Sequence, residues 1–174
     1  VILFIVNEKS GNGRGKRAWS AVERRLRELD RSSQYAKIAA RNEEDAIRQA
    51  EALTDQGGIT ALIAVGGDGT VHALLPLALR CRLPLGLIPS GSGNDTARAF
   101  GLPRNPLAAL DIVLSGHAIR VDIVQTAAAR QSSREQRPDL PEQPQPQFSL
   151  TCIAAGLDGA VAEDVNNSRY KLWC

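Results

Sequence analysis

Along this chain, apolar runs that stop at asparagine or glycine alternate with stripes of apolar residues spaced three and four apart. Residues 1–6 are an unbroken apolar run, the pattern of a central parallel strand buried on both faces. Behind it Ala18, Val22, Leu26 and Leu29 recur at helical spacing among arginines, which predicts an amphipathic helix. A less apolar strand is expected at 35–39. A helix follows at 43–55, with Ala46, Ala50 and Leu53 on one side and Asn42 as its cap. The pattern continues with a strand at 60–65, a helix running to Leu79, a strand at 84–88 and a helix at 95–100. Strands and helices alternating at these intervals specify a doubly wound α/β parallel sheet with right-handed crossovers.

A further helix is expected at 106–114, stopped by Gly116, and a strand of alternating character at 119–126. The composition then changes. Residues 127–147 carry Pro138, Pro141, Pro144 and Pro146 among glutamine, serine and charge, which reads as an extended connector. Residues 148–154 resume as a strand, so the connector reads as a long hairpin loop in a second, mostly β region. The chain thus divides into 1–120 and 121–174. It opens inside a strand without Met, which reads as a trimmed end, and Lys171-Leu172-Trp173-Cys174 reads the same way.

Composition changes this picture little. The chain has 174 residues, 43% hydrophobic and 23% charged, enough for a substantial core. A net charge of +2 gives no argument for nucleic acid. The distribution is less even, because Lys9, Arg14, Lys16, Arg17, Arg24, Arg25 and Arg27 fall within the first thirty residues. They form either a solvated helix face or a face that meets polyphosphate or an anionic membrane. Cys81, Cys152 and Cys174 have neither zinc spacing nor a disulfide framework, which points to a reducing, cytoplasmic compartment. No apolar run reaches the roughly 18–20 residues that span a bilayer.

Three glycine-rich turns carry the candidate chemistry, and each follows a predicted strand. Gly66-Gly67-Asp68-Gly69-Thr70 sets one carboxylate and one hydroxyl among glycines that let backbone approach a ligand closely. There Asp68 is the candidate to hold Mg²⁺, directly or through water, or to accept a proton from an attacking hydroxyl, and Thr70 to bond phosphate. Asn7 and Ser10 end the first strand, and Gly11, Gly13 and Arg14 open the following helix in a pattern that fits neither a Walker A loop nor a dinucleotide fingerprint. Ser92, Gly93 and Asn94 precede a helix whose N–H groups and positive dipole end face a ligand. Asp95 is expected to cap that helix, and Arg98 to pair with it or orient the loop. His72 reads as an exposed helix residue, and Asp122 and Asp158 as lesser carboxylate candidates, Asp158 on the substrate side. In a parallel sheet the carboxyl ends of the strands share one edge, so all three turns are expected to converge there.

The combination resembles the diacylglycerol kinase catalytic-domain family. The resemblance rests on Asn7-x-x-Ser10-Gly11, on Gly66 to Thr70, and on Pro89-Ser90-Gly91-Ser92-Gly93-Asn94-Asp95-Thr96-Ala97-Arg98 with Phe100-Gly101 beyond. It extends over residues 1 to about 126, and residues 148–158 look like the opening of that family's β-sandwich domain. The middle motif is shared with NAD kinases and phosphofructokinases, whose nucleotide-binding domain is the expected fold; the third motif is the lipid-kinase version. The resemblance implies an ATP-binding domain over 1–120 and an incomplete β-sandwich segment over 121–174. It further implies transfer of the γ-phosphoryl group of ATP, with Mg²⁺, to the hydroxyl of diacylglycerol or a sphingoid base. Gly11, Gly13, Arg14, Gly66, Gly67, Gly69, Thr70, Ser92, Gly93 and Asn94 would cradle phosphates, with Asn7 and Ser10 flanking the nucleotide.

The chain departs from the family at Glu8, where Pro is usual, at Ser92, where Thr is usual and the hydroxyl is kept, and at His72-Ala73, where a Glu is usual. The family's β domain runs well past position 174 and brings an acidic Asp-Gly element and lipid-facing surface, so these 174 residues alone are expected to be inactive. The expected partner is a lipid at a membrane surface, giving peripheral association, with a homo-oligomer as an option and nucleic acid excluded. Three other readings stand beside this one: a nucleotide-binding module without turnover, an NAD kinase-like phosphotransferase with a soluble substrate, and a dinucleotide-dependent oxidoreductase. The last would want an acidic residue ending the second strand, where Ala39-Ala40-Arg41 stands.

Overall fold

An unbroken apolar run has no polar face to leave in water, so the first strand belongs inside a sheet covered on both sides. The computed structural model describes residues 1–39, 42–126 and 147–151. In it β1 (Ile2–Val6) pairs in parallel with β2 (Tyr35–Ile38) on one side and with β3 (Ala61–Gly66) on the other. β4 (Leu85–Pro89) continues the sheet, giving the order β2-β1-β3-β4.

Alternate residues of each strand face opposite layers. Phe4, Val6, Ile63, Val65 and Ile88 pack with Ala18, Trp19, Val22 and Leu26 of α1 (Ser10–Glu28) and with Ala109 and Leu110 of α5 (Pro106–Ser115). Leu3, Ile5, Leu62, Ala64 and Leu87 pack with Ala50 of α2 (Glu43–Asp55) and with Val71, Leu74 and Leu77 of α3 (Asp68–Cys81). The expected doubly wound arrangement is therefore present. The chain leaves β1 toward β2 but leaves β3 toward β4, so the crossovers diverge between β1 and β3 and open a crevice at the carboxyl ends of these two neighbours.

Asn42 caps α2 as expected, its side chain accepting the Asp45 N–H at 2.9 Å. Asn42→Ala is expected to lower stability by about 1 kcal/mol in urea denaturation, the usual cost of a lost N-cap. Gly116 ends α5 in the left-handed region, φ 72°.

Some expectations need correction. Leu29, expected in the stripe of the first helix, lies exposed just past its end, and Trp19, absent from that stripe, is a buried member, 5.3 Å from Phe4 and 6.0 Å from Tyr35 between ring centroids. The strand expected at 119–126 shortens to β5 (Val124–Thr126), because its antiparallel partner β6 (Gln147–Ser149) offers only three residues to pair with. Ile119 is left 77% exposed. The pairing of β5 with β6 is that of a hairpin. Most of the connector, and residues 152–154 of the expected last strand, lie outside the described residues.

Candidate functional site

At the carboxyl edge of the sheet the three glycine-rich turns meet. The turn after β1 runs through Gly11, Asn12 and Gly13, with φ of 55°, 56° and 82°, so regular helix begins only after Gly13. A methyl group on Gly11 would lie 2.2 Å from the carbonyl oxygen of Ser90, so here the first turn presses on the third. The hydroxyls of Ser10 and Ser90 share a 2.6 Å hydrogen bond across the same contact. A double-mutant cycle of Ser10→Ala and Ser90→Ala is expected to return a coupling of about 1 kcal/mol, the net worth of one such bond.

The second turn is bound to the third more closely still. A Cβ on Gly91 would stand 2.6 Å from the Cα of Gly67, and one on Gly67 would stand 3.0 Å from the Cα of Gly91. Each is glycine because the other's backbone is there. Asp68 completes the junction: its Oδ1 accepts the Thr96 N–H at 2.8 Å and its Oδ2 the Asp95 N–H at 3.1 Å, so this carboxylate caps the short helix α4 (Asp95–Ala99) from another loop.

Burial raises the pKa of Asp68. The hydrogen bonds from Thr96 and Asp95 outweigh it and hold the carboxyl below its ordinary range. A carboxyl depressed in the folded state gives stability that is fully present above its unfolded value, about 3.9, and is lost as pH falls through the folded one. As pH falls below about 5, urea stability should therefore fall more steeply for the native protein than for Asp68→Asn, while above that the difference between the two should stay constant.

The remaining candidates divide into those held by the protein and those left open. Asn94, in the left-handed region at φ 57° and 6% exposed, is not open to a ligand through its side chain. Its amide donates to Gly91 O at 2.8 Å and accepts from Gly91 N at 2.9 Å. Gly13 N–H already meets Lys9 O at 3.4 Å. Asn7 Nδ2 reaches Thr70 Oγ1 at 3.4 Å, joining the first turn to the second. Arg14 donates to Gly11 O at 3.0 Å and reaches Ser92 Oγ at 3.5 Å. The backbone N–H groups of Ser92, Gly93 and Asn94 donate to nothing among the described residues, and a Cβ on Gly93 would lie 3.4 Å from Asp68 Oδ2. Gly66 ends β3, and Gly69 lies in the first turn of α3 with open space beside it.

Asp95, expected to cap α4, instead pairs with Arg98 at 3.1 Å while Asp68 does the capping. Arg98 also donates to Gly93 O at 3.1 Å, so it both pairs and orients the loop. His72 is exposed. Asp122 is exposed ahead of β5 and takes part in none of the bonds joining the turns, and Asp158 lies outside the described residues. Sequence reasoning passed over Ser90 and Gly91, although both stand inside the third motif; their position directly after an apolar strand was the available signal. Among the described residues no three His, Cys, Asp or Glu side chains cluster to cage a metal, and no helix is long and apolar enough to cross a membrane.

The motifs that meet here match a known domain: the family model for the diacylglycerol kinase catalytic domain covers residues 1–126. The chain belongs to that family. A diacylglycerol kinase of Mycobacterium tuberculosis is 38% identical over 123 residues, which are 70% of this chain and 39% of that protein. A probable lipid kinase YegS-like protein of Chromohalobacter salexigens is 42% identical over 83 residues, 45% of this chain and 26% of that one. Among solved structures, a putative diacylglycerol kinase from Bacillus anthracis superposes with a TM-score of 0.60 at 26% identity, over 72% of this chain and 45% of that one. This member of the diacylglycerol kinase catalytic-domain family thus spans less than half the length of these relatives.

Proposed function

We propose that the three turns hold the triphosphate of ATP together with Mg²⁺. On this reading the chain supplies the nucleotide-binding half of a kinase that transfers the γ-phosphoryl group to the hydroxyl of a lipid, diacylglycerol or a sphingoid base, at a membrane surface. The observation that carries this reading is the row of backbone donors at Ser92, Gly93 and Asn94, which meet no acceptor among the described residues, beside the carboxylate of Asp68. Converging N–H groups suit phosphate oxygens. A carboxylate next to them would repel phosphate unless a cation stood between. One carboxylate completed by phosphate oxygens is a usual Mg²⁺ environment, which the residues present fit.

Asp68 is assigned to the cation side rather than to proton removal, because a carboxyl held below its ordinary pKa is a poor base. A cation held by Asp68 would supply neutralisation of charge on the transferring phosphoryl group. Gly67, Gly69 and Thr70 of the second turn and Gly11, Gly13 and Arg14 of the first are assigned to the phosphates, through Arg14's guanidinium and through the close backbone that glycine permits. Asn7 and Ser10 flank the nucleotide. Phosphoryl transfer asks the protein mainly for positioning and charge stabilisation, which a rigid junction of loops provides.

A second reading is favoured by His72-Ala73 in place of an acidic residue: a module that binds nucleotide without turning it over. Both are tested by supplying γ-labelled ATP and Mg²⁺ with mixed lipids or with NAD to the full encoded chain. Label in lipid supports the kinase, label in NAD a soluble-substrate phosphotransferase, and nucleotide binding without transfer the module.

A further inference from the structure

On the face of the sheet covered by α1 and α5, an open cleft of about 270 Å³ shares a wall with the turns: it is lined by Arg14 of the first, by Ser90, Gly91 and Asn94 of the third, and by Arg17 and Arg104, with no acidic residue among the described ones. Arg14 and Arg17 stand one helical turn apart on α1, and Arg104 comes from the loop that leads into α5, outside all three glycine-rich turns. Arg14 is held by Gly11 O and Ser92 Oγ. Arg17 and Arg104 are exposed and form no hydrogen bond or ion pair among the described residues, although other arginines of α1 find partners, Arg25 with Glu28 and Arg27 with Glu23. Pro106 places the positive end of α5 at the same cleft.

Three guanidiniums facing one concavity repel one another, and an anion between them reverses the sign of that interaction. Guanidinium forks match the oxygens of phosphate in geometry as well as charge. No aromatic side chain among the described residues lines the cleft to stack a base, so its chemistry suits an oxyanion rather than a nucleoside. We propose that it is a second anion site, in which Arg17 and Arg104, with Arg14 on the shared border, bind a phosphate group while the turns bind nucleotide. The group is a free phosphate or the headgroup of a phosphorylated lipid. Simultaneous occupancy rests on the nucleotide reading above; phosphate binding by Arg17 and Arg104 does not, and the two ligands are titrated separately.

Inorganic phosphate is the probe, followed by amide NMR on the chain with and without MgATP. Saturable shifts at Arg17, Ala18, Gly91 and Arg104 that persist with MgATP present are expected. In the Arg17→Ala/Arg104→Ala variant phosphate affinity should fall at least about tenfold, through loss of two charge-assisted contacts, with MgATP affinity within about twofold of the native value. Co-sedimentation with phosphatidylcholine vesicles, with and without phosphatidic acid, then distinguishes the sources. Binding that needs phosphatidic acid and is lost in the variant assigns a lipid headgroup, and binding equal in both proteins assigns free phosphate. Shifts confined to residues 92–94, displacement of phosphate by MgATP, or equal phosphate affinity in native and variant proteins would overturn the proposal. A chain that takes up phosphate but not MgATP would refute the nucleotide reading alone.

Discussion

Asp68→Ala is expected to lower stability by about 1–3 kcal/mol and to weaken MgATP binding by about a hundredfold or more. The first effect comes from two backbone N–H groups, at Asp95 and Thr96, that lose their one acceptor among the described residues where α4 begins. The second comes from loss of the Asp68 carboxylate beside the open donors of Ser92 to Asn94, and with it the proposed cation contact; the Asp95 carboxylate, also near Gly93, is paired with Arg98. Asp68→Asn separates the two. An amide keeps one acceptor oxygen, so its stability should lie between those of the native protein and the alanine variant, while MgATP binding should fall as far as in alanine because the charge is gone. Urea denaturation and calorimetric titration read the two quantities independently. Equal MgATP affinity in native and Asn variants would leave Asp68 as a helix cap and nothing more.

Gly91→Val tests the junction from the other side. Its Cβ would stand 2.6 Å from the Gly67 Cα and 3.0 Å from Asn94 Oδ1, and the first of these is backbone that has no rotamer to give. The third turn must move away from the second, at a cost of about 1–3 kcal/mol by analogy with overpacked cores, and Asp68 loses its register with α4. Nucleotide uptake should be abolished while the sheet persists in far-ultraviolet circular dichroism. Gly69→Ala is the contrasting substitution. Nothing lies within 4 Å of the added methyl in the first turn of α3, so stability should be unchanged or slightly higher, as alanine favours helix over glycine.

The fold was legible because its signals are local. Residues 1–6 have no polar face, Asn42 precedes a helical stripe, and Gly116 follows one, so each element could be placed from its own residues. Trp19 was passed over because a tryptophan among arginines reads as part of the polar face, whereas its ring packs against Phe4 and Tyr35 with Lys37 5.3 Å above it. The strand expected at 119–126 was overdrawn because strand length is set by the partner, and β6 lies beyond the connector.

At the site, the convergence of the turns followed from parallel topology, but the division of labour among their residues did not. Asp68 and the N–H groups it accepts are 27 and 28 residues apart, and nothing near Asp68 in sequence shows that its oxygens are engaged. Asn94 has the composition of a ligand-binding residue and the contacts of a loop brace. Glycines that read as room for a ligand are, at positions 67 and 91, room for each other. Motif composition located the edge of the sheet that matters; only the contacts show which polar groups remain there to meet a ligand.

The most direct test of the account is calorimetric titration of the native chain with ATP in the presence and absence of Mg²⁺. The account predicts saturable binding of one nucleotide per chain that depends on the cation and is lost in Gly91→Val. Absence of binding, or binding indifferent to both Mg²⁺ and the integrity of the Gly67–Gly91 contact, would contradict it.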